Sequence, residues 1–506
     1  MREDPSEPEP KAPDRGRHIV RGLGSLTVQS VLSALLGFVF FFSLVRFLPQ
    51  SIYGAYAAVQ VTVGIAGTFA GFGLTSAVVR FLAPDSAESG KGWAPARAAL
   101  LLVVMLASAA SLVVGSLAPY LSGYFSKSAS STWVFELGVL WLFTTALAGP
   151  MQSILQGMRR YGLLAKILLV TRFIAVAVAV LGVVLYQSLA IAVISQGLYG
   201  ALIVFSILPI VIGPLRRANS RPYYSTVVRY AFPLGLAGLV SVVASNADIV
   251  VVGGYLSSGA LAIYNATITI SSVLSAFFVA PFATALFAET SLSSGTGREL
   301  KLGANLSIRF MLMTLLPASF FAAALSTQLF DLFSGGGSYM QGIPYLQLIT
   351  LMYVFTGVQS VTIYILQGTS RTRQVLVIGA VTAIGEVVLS ASLVPSLGLA
   401  GATYSRVAMF VVGCCLSLYF VREYLPHPFD FRFLGKALLS SAIPSVAVYL
   451  LSEKISSRVI TLVPYTLLGL ALFVSTAKGL GLLSAEDKSY IKHLVPSRFA
   501  WLLRLL

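Results

Sequence analysis

Again and again along this chain an apolar run long enough to cross a bilayer begins, continues almost without charge, and stops at a short polar link. A helix needs roughly 20 apolar residues to span the hydrocarbon core. Such runs lie near 25–45, 55–79, 96–118, 133–155, 165–186, 189–213, 230–253, 260–287, 307–330, 343–366, 374–394, 399–421, 434–452 and 459–478. Inside a bilayer every backbone N–H and C=O must be satisfied within the protein, and continuous apolar runs of this length do so as helices. The sequence therefore predicts an all-α polytopic membrane protein of about 14 transmembrane helices. Two pairs of runs, 165–213 and 374–421, are parted only by YQSL and VPSLGL, and merging either pair would invert everything downstream.

Charge fixes which ends face the cytoplasm. Only 10% of residues are charged, against about 25% in soluble domains. The net charge of +16 would suggest a nucleic-acid partner in a soluble chain; in a membrane protein it is first a topology signal, because cytoplasmic links accumulate Lys and Arg. With the N-terminus inside, the tails and even-numbered links hold 28 of the 34 Lys and Arg residues, and the external links only Arg46, Lys127, Lys454 and Arg458. This predicts a multi-pass protein of the plasma membrane with both termini cytoplasmic, membrane lipids as its surroundings and no nucleic-acid partner. The first 20 residues, rich in proline and mixed charge, read as a disordered cytoplasmic tail without a cleaved targeting segment.

The halves repeat. Leu48 and Tyr56 return as Leu256 and Tyr264 at an offset of 208; Arg97 and Arg309 open the third and ninth runs; ILQGMRR at Ile154 returns as ILQGTSRTR at Ile365; and LAIAVISQ at Leu189 pairs with LAGATYSR at Leu399, setting Gln196 against Arg406. Six spans per half is an even number, so the repeat is parallel. The predicted organisation is a tail over 1–20, a six-helix bundle over 21–214, a linker over 215–225, a pseudo-symmetric six-helix bundle over 226–422, two additional helices over 423–480 and an amphipathic cytoplasmic tail over 481–506.

Covalent and metal chemistry find little support. His18, His427 and His493 lie in tails or a link, Cys414 and Cys415 are adjacent in an apolar run, and there is no phosphate-cradling glycine loop. No catalytic residue, cofactor or metal site is expected.

What remains is charge inside the membrane, costly enough that it faces a cavity or a partner. Arg172 lies in the fifth span, Asp248 in the seventh, Glu386 in the eleventh, Arg406 in the twelfth, and Arg46 at the outer end of the first. On one reading Arg172, Arg406, Gln196 and Arg46 bind an anionic headgroup, since guanidinium matches phosphate oxygens in a fork. Asp248 and Glu386 then bind a coupling cation or alternate as partners for the arginines. On the other reading the carboxylates simply pair with the arginines to hold helices together, and Arg46 snorkels at the interface. Gly73 and Pro281, in register at offset 208, are candidate hinges on opposite walls of one cleft.

Several stretches carry a family likeness. RFLPQSIYGAYAAV, FAGFGLTSAVVRF, ILQGMRRYG, YAFPLGLAGLVSVVASNADIVVVGGYLSSGALAIYNA and LGLAGATYSR resemble the polysaccharide biosynthesis family of O-antigen and lipid-linked oligosaccharide flippases, within the multidrug/oligosaccharidyl-lipid/polysaccharide exporter superfamily. The resemblance runs from about Arg21 to Lys478. It implies a V-shaped pair of six-helix bundles working by alternating access, with a cationic cavity to which Arg172 and Arg406 correspond and a seventh-span aspartate matched by Asp248. The first span, VQSVLSALLGFVFFFSLV, has no acidic residue, so the cation site of multidrug relatives is not matched. The function expected is translocation of a polyprenyl-(pyro)phosphate-linked oligosaccharide. The alternatives are a cation-coupled multidrug exporter and, more distantly, a membrane glycan polymerase or ligase.

Overall fold

The computed structural model describes residues 13–83, 90–127, 131–279, 297–369, 371–423, 431–455 and 461–482. Fourteen helices in it are long and apolar enough to cross a membrane. They match the fourteen runs one for one, and no strand occurs among the described residues. Hydroxyls within the spans do not disturb the backbone: Thr171 donates to the Ile167 carbonyl at 2.7 Å and Ser271 to the Thr267 carbonyl at 2.8 Å, each four residues back.

The close pairs are separate helices. Tyr161–Tyr186 ends at Gln187 in the left-handed region (φ 47°, ψ 34°), and Ser188 then caps Leu189–Arg217, its hydroxyl accepting the Ile191 N–H at 3.4 Å. Thr372–Leu397 ends at Gly398 (φ 61°), where Leu399–Val421 begins. Positive φ at both positions is what reverses the chain within so few residues.

The duplication is visible in the backbone. Arg160 sits at φ −83°, ψ 50° and Arg371 at φ −87°, ψ 48°, each opening a helix. The Arg160 N–H donates to the Leu155 carbonyl at 2.9 Å and that of Arg371 to Leu366 at 2.8 Å. At the other anchor, Leu48 N–H donates to Leu44 at 3.1 Å and Leu256 N–H to Val252 at 2.9 Å. Equivalent backbone turns at matching positions of the repeated sequence are what one unit copied would show.

By contact the described residues form two compact units. One comprises those within Met1–Phe41, Val63–Ser116 and Glu136–Gly238; the other those within Phe42–Thr62, Leu117–Phe135 and Leu239–Leu506. In the first, a core around Leu82, Ile154, Leu155, Leu164, Ile203 and Ile207 packs without exposed surface. In the second, Met311, Leu315, Val361, Ile365, Leu366 and Ile378 do the same, and Leu325, Val448 and Tyr465 form a smaller cluster that seats the thirteenth and fourteenth spans.

Several boundaries differ from the sequence reading. The first helix starts at Pro13 rather than Arg21, because proline at a first helical position lacks only an N–H that would be unpaired anyway. The ninth run is two helices, Gly297–Ala324 and Ser326–Ser334, parted at Leu325. Pro281 and the tail from 483 onward lie outside the described residues.

Gly73 does interrupt a span. Helix Gln50–Gly71 stops, Phe72 and Gly73 take positive φ (26° and 71°), and the chain resumes as helix Leu74–Phe81. The break seats Gly73 against the seventh span, Tyr224–Tyr255, so closely that a Cβ there would collide with the Ala231 carbonyl and stand 2.8 Å from the Gly235 amide. Phe72 in turn lies over Gly235 and meets Phe232 edge-on at 5.8 Å. Gly73→Ala combines left-handed strain with a backbone clash and is expected to cost roughly 2–4 kcal/mol. Gly71→Ala, which meets nothing within 4 Å, is expected to be neutral or slightly stabilising. Thermal unfolding of both variants in detergent checks the contrast; equal melting temperatures would refute the close packing at Gly73.

Candidate functional site

Two polar clusters form within the apolar spans. The first gathers around Arg406, two turns into the twelfth span (Leu399–Val421). Its Nε donates to Asp248 Oδ2 at 2.6 Å and its Nη2 to Asp248 Oδ1 at 2.7 Å, a forked pair, while Nη2 also reaches the Ser245 carbonyl at 3.0 Å. Asp248 is fully buried in the seventh span and the Arg406 side chain is 11% exposed. The carboxylate also accepts the Ile249 N–H at 2.9 Å and the hydroxyl of Tyr264 from the eighth span, Ser258–Leu274. Every lone pair of the buried anion thus has a donor, the condition under which a buried ion pair is tolerated. Nη1 of Arg406 makes no hydrogen bond among the described residues, so one edge of the guanidinium stays available.

Glu386, 2% exposed in the eleventh span, accepts from Ser390 at 3.4 Å. It lies within electrostatic reach of both Asp248 and Arg406, yet forms no ion pair among the described residues.

The second cluster joins the fifth and sixth spans. Arg172 Nη1 donates to Gln196 Oε1 at 3.1 Å, and its guanidinium carbon stands 5.2 Å from the ring centroid of Tyr199, one turn further along the same helix face. Gly37 of the first helix lies beside it, a Cβ there falling in ordinary contact 3.7 Å from Arg172 Nη2. No carboxylate pairs with Arg172 among the described residues. Gln196 is 6% exposed and its Nε2 is buried without a hydrogen-bond partner. A cation without an anion and an amide donor without an acceptor together describe a place for negatively charged oxygen.

The remaining candidates divide. Asp248 and Arg406 come together, as do Arg172 and Gln196. Arg46 is exposed, and its guanidinium fills the space above Gly335, the left-handed cap of helix Ser326–Ser334. There it faces the carbonyl end of that helix, a favourable place for a cation.

Sequence reading passed over three residues. Tyr264 and Tyr199 complete the two charge clusters, and Tyr53 donates to Asn265 Oδ1 at 2.6 Å in a buried contact between the second and eighth spans. The available signal was the YNA that closes the repeat marker, a tyrosine and an amide in mid-membrane.

Comparison with known proteins agrees with this architecture. The family model described as polysaccharide biosynthesis protein matches residues 19–287, and the MatE model matches residues 233–392. Among solved structures, the lipid II flippase MurJ in an inward closed conformation superposes with a TM-score of 0.76 at 14% identity, covering 90% of this chain and 98% of its own. An inward-facing multidrug resistance MATE family transporter of the MOP superfamily gives 0.61 at 16% identity, covering 77% and 94%. A MOP superfamily transporter from Pyrococcus furiosus, whose binding pocket has reversed polarity, gives 0.59 at 17%, covering 80% and 95%. No curated protein matches the sequence.

Proposed function

The chain belongs to the polysaccharide biosynthesis protein family, and on that premise we propose that it is a flippase for a polyprenyl-(pyro)phosphate-linked oligosaccharide. It carries this lipid across the cytoplasmic membrane, from the inner to the outer leaflet, in the synthesis of cell-surface polysaccharide or glycan. Both termini are cytoplasmic in this reading, which the distribution of Lys and Arg supports. It works by alternating access while the prenyl tail stays among membrane lipids.

One observation carries the reading: Arg172 sits in a membrane span with no carboxylate partner among the described residues, beside a Gln196 Nε2 that has no hydrogen-bond partner there. A membrane protein keeps such a cation where a ligand brings the missing charge. Arg172 and Gln196 then hold phosphate oxygens, and the open edge of Arg406 is a further group able to take one. Asp248 holds Arg406 in place, and Glu386, a buried membrane carboxylate without an arginine hydrogen bond among the described residues, is the position for a coupling cation.

The MatE match over 233–392 favours a second reading, a cation-coupled multidrug exporter. The purified chain in lipid vesicles separates the two. The flippase is expected to move a fluorescent polyprenyl-pyrophosphate-linked glycan to the opposite leaflet without moving cationic dyes; dye transport with a stationary glycan would reverse the assignment.

A further inference from the structure

Two consecutive residues of the eighth span look in different directions. Tyr264, fully buried, points its hydroxyl at Asp248 and also at the Ala402 carbonyl, 3.1 Å away. Asn265, 5% exposed, holds the Tyr53 hydroxyl at 2.6 Å. Around that second contact the start of the second span rests on the eighth. Gln50 Nε2 donates to the Gly259 carbonyl at 3.0 Å, and Gly54 lies so close to the Ser258 carbonyl that no side chain would fit.

A tyrosine hydroxyl has one proton, and here two acceptors face it. While Arg406 neutralises Asp248, Tyr264 is shared between the carboxylate and the Ala402 carbonyl. An anion that engages the open edge of Arg406 and draws it from Asp248 leaves a buried carboxylate whose remaining donors are the Ile249 N–H and Tyr264. Because an uncompensated buried charge is costly, the hydroxyl commits to Asp248 and gives up Ala402. Asn265 shares the same turn of helix, so a shift of Tyr264 toward Asp248 would carry it away from Tyr53.

We propose that Tyr264 is a positioning residue that ties the anion occupancy of Arg406 to the Tyr53–Asn265 contact, so that substrate binding loosens the packing of the second span on the eighth. This rests on the reading of Arg406 as an anion-binding group. The hydroxyl with two acceptors supplies the two-state element that such coupling needs.

Spin labels at Ser51 in the second span and Ser272 in the eighth, both exposed, report the separation by pulsed dipolar spectroscopy in nanodiscs, in the full chain carrying Cys414→Ser and Cys415→Ser. Inorganic pyrophosphate is the probe. The parent is expected to gain a severalfold larger long-distance population on adding pyrophosphate. Tyr264→Phe is expected to bind pyrophosphate more weakly and, at saturating pyrophosphate, to show no such gain, and Tyr53→Phe to show the long-distance population without anion. A Tyr264→Phe response equal to the parent's overturns the coupling. If pyrophosphate fails to bind the parent, the anion-binding role fails, and the coupling is judged by Arg406→Gln without anion: an unchanged distance distribution overturns it, and an expanded one upholds it.

Discussion

Asp248→Ala is expected to destabilise the protein by roughly 3–5 kcal/mol, because it removes the only carboxylate paired with Arg406 among the described residues and leaves a guanidinium stranded between helices. The fork of two short hydrogen bonds disappears at once, while Tyr264 keeps the Ala402 carbonyl as an acceptor. Adding Arg406→Leu is expected to recover most of the loss, since an apolar side chain of comparable bulk in place of an unpaired charge restores a tolerable interior. Thermal unfolding of the two single variants and the double variant yields the coupling energy directly. Additive losses would mean that the pair contributes no more than its separate side chains, and the description of Asp248 as the anchor of Arg406 would be abandoned.

The same pair shows where sequence reasoning stops. That Arg406 and Asp248 are intramembrane charges follows from hydropathy alone, and that such charges seek partners follows from the cost of burying them. Which arginine meets which carboxylate depends on the rotation of each helix about its axis, and four apolar faces of similar composition leave that rotation unspecified. Tyr264 was hidden for a related reason: an aromatic in an apolar run reads as packing until its hydroxyl is seen against a carboxylate. The number of spans, by contrast, was legible throughout, because length and hydropathy are one-dimensional properties. Even the separation of the close pairs rested on local chemistry, a left-handed Gln187 in one half and Gly398 in the other. Arg46 shows the reverse limit: its charge was plain in the sequence, but its place over the cap of Ser326–Ser334 required knowing that the ninth run breaks at Leu325. Gly73 was legible as a breaker and is one, with the added content that its bare Cα is what allows the second span to lie against Ala231.

Arg172→Met is expected to separate function from stability in the opposite sense to Asp248→Ala. Arg172 has a single side-chain hydrogen-bond partner, Gln196, and the face of Tyr199; neither offsets a full charge in a span where insertion costs about 2.5–3.5 kcal/mol. Methionine fills similar space without the charge, so the melting temperature in detergent is expected to stay level or rise, the usual relation between a strained functional group and its host. Transport of the pyrophosphate-linked glycan is expected to fall roughly 10- to 100-fold, the equivalent of a charge-assisted hydrogen bond worth about 1.5–3 kcal/mol. Arg172→Lys keeps the charge but loses the planar fork and is expected to lie between the two. Flux in vesicles and melting of the same preparations decide the matter together. A methionine variant that transports normally would remove Arg172 from the substrate path, and one that unfolds as Asp248→Ala does would recast it as a structural tie. Full flux in the lysine variant beside lost flux in the methionine variant would leave charge, rather than fork geometry, as what the site reads.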